Sequence, residues 1–154
     1  MANAYFLSTT SVPAEKSVFE IKVELLKIGV QRVYEEYSQG KISAIVFSLD
    51  AGNERPLDVN IPVNVESVFL QLCKERNAKS RARAPRAKDE ALLAQAHRTA
   101  WRMALQRIKL QVADILVGQM DVLEVFLPYV MWKGVPFYKA LKAQDFKLLG
   151  EGTR

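Results

Sequence analysis

Apolar residues recur at helical spacing early in the chain. Val18, Ile21, Leu25 and Ile28 share one face, while Glu15, Lys16, Glu20, Lys22 and Glu24 take the others. The pattern predicts an ordinary amphipathic helix. Thr10, Ser11 and Pro13 mark its start, with Glu15 in the first turn, and Gly29 marks its stop. From Val30 the period changes. Residues 30–37 mix polar and apolar positions as a strand would, and residues 38–41 read as a turn. Residues 42–49 are rich in β-formers and predict a central strand. After a loop over 50–56, Leu57, Val59 and Ile61 alternate with Asp58 and Asn60, the pattern of a half-buried strand. Three strands joined by short links imply an antiparallel meander with one face buried against helices.

Helical spacing then returns. Asn64 is placed to cap a helix containing Val65, Val68, Phe69, Leu72 and Cys73, which is expected to fray over residues 74–77. Pro85 breaks any helix that would cross it. Residues 88–117 predict one long helix, rich in Ala and free of Gly and Pro inside. Ala96, Ala100, Ala104, Ile108, Val112 and Leu116 lie four apart along it, and Trp101, Leu105 and Ile115 widen that face. Gly118 ends it. Asp121 and Glu124 form a capping pair for a short helix over 122–127, stopped by Pro128. Residues 131–134 predict a turn, and Pro136 opens a last short helix with Phe137, Tyr138 and Leu141. Phe146, Leu148 and Leu149 read as a docking segment. The expected fold is α+β, with a small antiparallel β-meander of about three strands packed on helices and one long helix in the C-terminal half. We expect a single domain over 1–154, with an N-terminal arm (1–10), a basic flexible loop (77–88) and a C-terminal tail (150–154).

Composition narrows the classes. Hydrophobic residues make up 49% of the chain and charged residues 25%, as in ordinary soluble domains. No signal-peptide pattern opens the chain, and no apolar run is long enough to span a membrane. With Cys73 as the only cysteine, an intrachain disulfide and a multi-cysteine zinc site are both excluded. A cytoplasmic setting is expected, the host cell's cytoplasm if the protein is viral.

Charge changes the picture most. Residues 74–109 hold eleven of the twenty-two Lys and Arg but only three acids, Glu75, Asp89 and Glu90. Lys79, Arg81, Arg83, Arg86 and Lys88 put five bases into ten residues with no acid among them. Farther along, Arg98, Arg102 and Lys109, with Gln106 between, fall at spacings that place them on one helix stripe. Such an array suits a phosphate backbone, because each neutralised phosphate releases counterions and each guanidinium can bond a phosphate twice. A solvated connector and a clamp for an acidic protein are the competing readings. Tyr34 and Tyr37, with charged neighbours, are the candidate stacking rings. No RNA-recognition consensus, complete OB barrel or helix-turn-helix signature appears.

Catalytic chemistry finds little footing. His97 is the only histidine and has no marked nucleophilic partner. Glu35 and Glu36 point to opposite faces of a strand, and no Gly-rich phosphate loop occurs. Cys73 on an apolar helix face is expected to be buried and inert. We expect no catalytic residue, no metal site, no cofactor and no enzyme activity.

Two passages resemble known proteins. Ser8-Thr-Thr-Ser-Val-Pro-Ala-Glu-Lys16 before an amphipathic helix resembles the opening of small uncharacterised phage and prophage proteins. So does Arg98-Thr-Ala-Trp-Arg102 followed by Leu123-Glu-Val-Phe-Leu-Pro-Tyr129. The resemblance implies a viral genome-handling or accessory protein and carries over no functional residue. The sequence therefore points to a phage protein that binds nucleic acid without strong sequence preference, single-stranded DNA in replication or recombination being the concrete form. Its binding residues would be Lys79, Arg81, Arg83, Arg86, Lys88, Arg98, Arg102, Tyr34 and Tyr37. The alternative is a self-assembling or host-interaction protein with no nucleic-acid ligand, in which Trp101, Leu105 and Val112 form the interface. A homo-oligomer fits both readings, since multivalency raises affinity.

Overall fold

The computed structural model describes residues 5–50, 52, 54–79 and 87–150, with backbone alone at Lys79, Ala87 and Lys88. The fold is α+β: a three-stranded antiparallel sheet, helices, and one long helix in the C-terminal half. The chain divides into two compact units. The first comprises residues 1–24 and 63–110, the second 25–62 and 111–154.

Helix α1 (Ala14–Lys27) follows a turn in which the Thr10 hydroxyl accepts from the Val12 amide at 3.3 Å. Ala14, Val18, Ile21 and Leu25 are its buried row, at spacings of four, three and four. Its end shows why Gly29 stops it. Gly29 adopts φ +83°, a left-handed conformation that a Cβ would strain. The Gly29 amide then reaches the Leu26 carbonyl at 3.2 Å, and the Val30 amide the Leu25 carbonyl at 3.3 Å. This is a Schellman cap, with Val30 and Leu25 both buried as its apolar contact.

In the first unit, α2 (Val65–Lys79) and α3 (Ala87–Leu116) share a core. Asn64 caps α2 by accepting from the Ser67 amide at 2.9 Å. Val68 and Leu72 meet Ala96 and Ala100, whose small side chains let the helices approach closely. Tyr5, Phe69, Leu92 and Met103 close the edges of that cluster. Rather than fraying at residue 74, α2 runs on to Lys79. Arg76 in its last turns bonds Asp89 in the first turn of α3 at 2.5 Å, which supports the extra turn from outside the helix. Cys73 is half-buried, more open than its apolar neighbours suggested.

The long helix keeps only part of its predicted face. Ala96, Ala100, Ala104, Ile108 and Val112 are buried, as are Trp101 and Leu105, but Leu116 is 57% exposed. A row of four-residue steps turns about 40° per step on a 3.6-residue helix, so it swings by about 200° between Ala96 and Leu116. The residues preceding the arm's end are also fixed: the Leu7 carbonyl accepts from Thr99 Oγ1 at 3.1 Å and the Thr10 carbonyl from Gln95 Nε2 at 2.9 Å.

In the second unit, β1 (Arg32–Ser38), β2 (Lys41–Leu49) and β3 (Leu57–Asn60) form the sheet in that order. Gln39 and Gly40 both have positive φ, 51° and 74°, and make the two-residue turn between β1 and β2. Ile45, Phe47 and Leu49 alternate inward. Ile42 is also buried although it breaks their parity. The register explains this: Glu36 pairs with Ala44 but Tyr37 with Ile42, so Ser43 is an extra residue, a β-bulge that restores Ile42 to the inner face.

Phe47 meets Phe126 of α4 (Val122–Phe126) edge to face, centroids 5.1 Å apart at 82°. The expected capping pair forms a full capping box, Asp121 accepting from backbone and Glu124 accepting from the Asp121 amide at 3.1 Å. A 3₁₀ turn over Leu127–Tyr129 carries the chain past Pro128. The predicted turn at 131–134 is the centre of a tiny hairpin, β4 (Met131–Trp132) and β5 (Val135–Pro136). Helices α5 (Phe137–Ala143) and α6 (Lys147–Gly150) complete the described chain. Phe146, Leu148 and Leu149 are all exposed, at 50%, 51% and 67%, so among the described residues the segment docks on nothing that covers them. Among the described residues, no helix is long and apolar enough to cross a membrane.

Candidate nucleic-acid interface

The excess positive charge belongs to one unit. Residues 1–24 and 63–110 carry thirteen bases and seven acids, or +6, whereas residues 25–62 and 111–154 carry nine and ten, or −1. The basic run sits in the first unit, between the C-terminus of α2 and the N-terminus of α3. Lys79 is the last residue of α2 and Lys88 the second of α3; Arg81, Arg83 and Arg86 lie outside the described residues.

The two helix ends that bracket the run are tied together. Arg76 Nη1 donates to Asp89 Oδ1 at 2.5 Å across thirteen residues of sequence. That hydrogen bond pushes the Arg76 pKa further up, outweighing the opposing effect of desolvation. A carboxylate in the first turn of α3 is also favourably placed for the helix dipole. Arg76 is therefore committed to scaffolding. It ties the C-terminal end of α2 to the first turn of α3, the two described helix ends that flank the basic run in sequence.

The stripe along α3 is different from its sequence picture. Arg98 is partly buried and donates to Gln95 Oε1 one turn earlier. Arg102 Nη1 bonds Glu20 Oε2 of α1 at 3.1 Å, and Lys109 Nζ lies 3.8 Å from the same oxygen. Glu20 thus sits between two of the three cations and offsets part of their field. The side chains of Glu20, Arg102 and Lys109 are 28%, 20% and 42% exposed, so the group remains within reach of solvent. Sequence spacing found the cations but not the acid, which is 82 residues away from Arg102.

Tyr34 and Tyr37 lie on β1, in the second unit, and are 51% and 63% exposed. They do not form one platform. The extra residue of the bulge is on β2, so β1 alternates regularly and positions three apart face opposite sides. Tyr37 shares its face with Glu35, to which its hydroxyl donates at 2.5 Å. Tyr34 shares the other face with Glu36 and Arg32.

Other chemistry is sparse. No group of three or more His, Cys, Asp and Glu side chains among the described residues could hold a metal ion. His97 is half-buried on α3, between the buried Ala96 and the engaged Arg98. The second unit has an open polar cleft of about 390 Å³ lined by Arg32, Ser48, Asp50 and Glu54 among others. Trp101, Leu105 and Val112, which an assembly interface on α3 would have used, are fully buried. No family model, curated protein or solved structure matches the chain.

Proposed function

We propose that this protein binds nucleic acid through the basic end of its first unit, without strong sequence preference and without catalysis, and that single-stranded DNA is the ligand. The observation that carries the reading is the charge separation: +6 in one unit against −1 in the other. A regional excess of this size attracts a polyanion over a distance of about a Debye length and supplies counterion-release affinity on contact. Residues 79–88 form the primary contact. Arg98 and Arg102 extend it, and Arg102 must exchange Glu20 for phosphate to do so. Because the two exposed tyrosines face opposite ways, stacking contributes through one ring at most, and phosphate contact dominates. Sequence tolerance follows from that balance, since phosphates carry no base identity. The setting that fits is a phage protein acting in replication or recombination in the host cytoplasm.

Fluorescence anisotropy with labelled single- and double-stranded oligonucleotides at several salt concentrations tests the proposal. The expected result is binding that weakens steeply with salt, tighter for the single strand. Replacing Lys79, Arg81, Arg83, Arg86 and Lys88 together by Ala should remove most of the affinity. An absence of binding at low salt, or an affinity indifferent to the five replacements, overturns it.

A further inference from the structure

The sheet ends on a strand that is charged in a selective way. β1 is the outer strand of the order β1-β2-β3, and among the described residues no strand pairs with its other edge. An edge of seven residues exposes backbone donors and acceptors that a further strand can use. Charged residues normally guard such edges, and β1 carries Arg32, Glu35 and Glu36. Their arrangement excludes some partners and favours one.

Arg32, Tyr34 and Glu36 share the face directed away from the buried row of β2. Arg32 stands directly opposite Ser48 and Glu36 directly opposite Ala44, so neither is paired with a charge on the adjacent strand, although Asp58 lies one strand beyond Ser48 and Asp50 and Glu54 line the cleft beside Arg32. Being four residues apart on an extended strand, about 13 Å, Arg32 and Glu36 are also too far apart to pair with each other. We propose that a second copy of this chain joins β1 antiparallel, in the register that places Tyr34 opposite its own copy. In that register each Arg32 stands opposite the Glu36 of the other copy, on the same face as the central pair of Tyr34 rings. Val33 then meets Glu35, and no like charges oppose one another.

Symmetric alternatives do less well. A twofold axis perpendicular to the sheet keeps each face on its own side, so the axis must pass through a residue. Centred on Glu35 or Glu36, the pairing sets identical carboxylates opposite each other, which destabilises it. Centred on Val33, it sets Arg32 against Tyr34 and forms no ion pair. Regular pairing of β1 holds from Arg32 to Glu36, and these five residues are the ones the favoured register uses.

This inference stands apart from the nucleic-acid reading, and its test contains no nucleic acid. Sedimentation equilibrium of the full chain over a wide concentration range should show a monomer–dimer equilibrium. Arg32→Glu and Glu36→Arg should each weaken the dimer by about tenfold or more, because each places two like-charge pairs in the joined sheet. The double variant, R32E/E36R, should return to within about threefold of the parent. Both positions are exposed, so neither change touches the core. A monomer at all concentrations, single variants that dimerise normally, or a double variant that stays weak each overturns the proposal. Oxidative cross-linking reads the register directly. In a Cys73→Ser background, Tyr34→Cys should form a disulfide-linked dimer and Tyr37→Cys should not, since directly opposed Cα atoms lie about 4.5–5.5 Å apart. Equal cross-linking at both positions, or none at 34, refutes it.

Discussion

Glu20 offers the sharpest test of how the basic surface works. Its carboxylate lies 3.1 Å from Arg102 and 3.8 Å from Lys109, and on the proposed reading it competes with phosphate for both. Glu20→Gln keeps the size of the side chain and removes the charge, raising the first unit from +6 to +7. Each phosphate neutralised on a single strand contributes about −0.7 to the slope of log K against log salt. Five contacts from residues 79–88 and one from Arg98 give a slope of about −4.2. Freeing Arg102 and Lys109 adds two contacts and steepens it to about −5.6. Between 50 and 200 mM salt the variant should then lose about sevenfold more affinity than the parent, and at low salt it should bind tighter. Stability should fall by no more than about 1 kcal/mol, because the three side chains are all partly solvated. Anisotropy titrations at four or five salt concentrations give the slope, and urea denaturation gives the stability. An unchanged slope, or weaker binding of the variant at low salt, would show that the α3 stripe takes no part in binding.

Two further predictions concern the second unit. Phe126→Ala should cost about 3–5 kcal/mol, since it empties a fully buried site and removes the edge-to-face contact with Phe47; a loss under about 1 kcal/mol in urea denaturation would contradict the packing. Gly40→Val should destabilise by about 1–2 kcal/mol through backbone strain alone, because φ is +74° and no atom lies within 4 Å of the added Cβ; a thermal midpoint equal to the parent's would show that the turn adopts another conformation.

Signals carried by neighbouring residues were legible in the sequence. The stop at Gly29, the capping pair of Asp121 and Glu124, and the alternation of Leu57, Val59 and Ile61 all act within a few residues, and the structure has each of them. What escaped was set by distant partners. The extension of α2 to Lys79 depends on Asp89, and the partial neutralisation of the α3 stripe depends on Glu20. The β4–β5 hairpin was missed because two-residue strands carry no period, and only the positive φ of Lys133 and Gly134 marks it. The exposure of Leu116 needed only helix geometry, since a strict four-residue row must rotate off its face.

The candidate site divides in the same way. Arg98 and Arg102 do share a helix, as their spacing requires, but their partners could not be read from it. The opposed faces of Tyr34 and Tyr37 were available in the sequence, because positions three apart on a strand without a bulge lie on opposite sides. That simple parity removes a two-ring platform, and on the proposed reading it leaves phosphate contact as the main source of affinity.

The bulge at Ser43 has a consequence for how this sheet can change length. Strand β2 contains one residue that β1 does not count. Losing a residue between Ala44 and Leu49 would turn part of the strand over and send inward side chains to solvent. Losing Ser43 would not: Ala44 would follow Ile42 directly, Ile42 would stay inward, and every pairing with β1 would keep its partner. At the bulge the gene could drop a codon and the sheet would keep its frame.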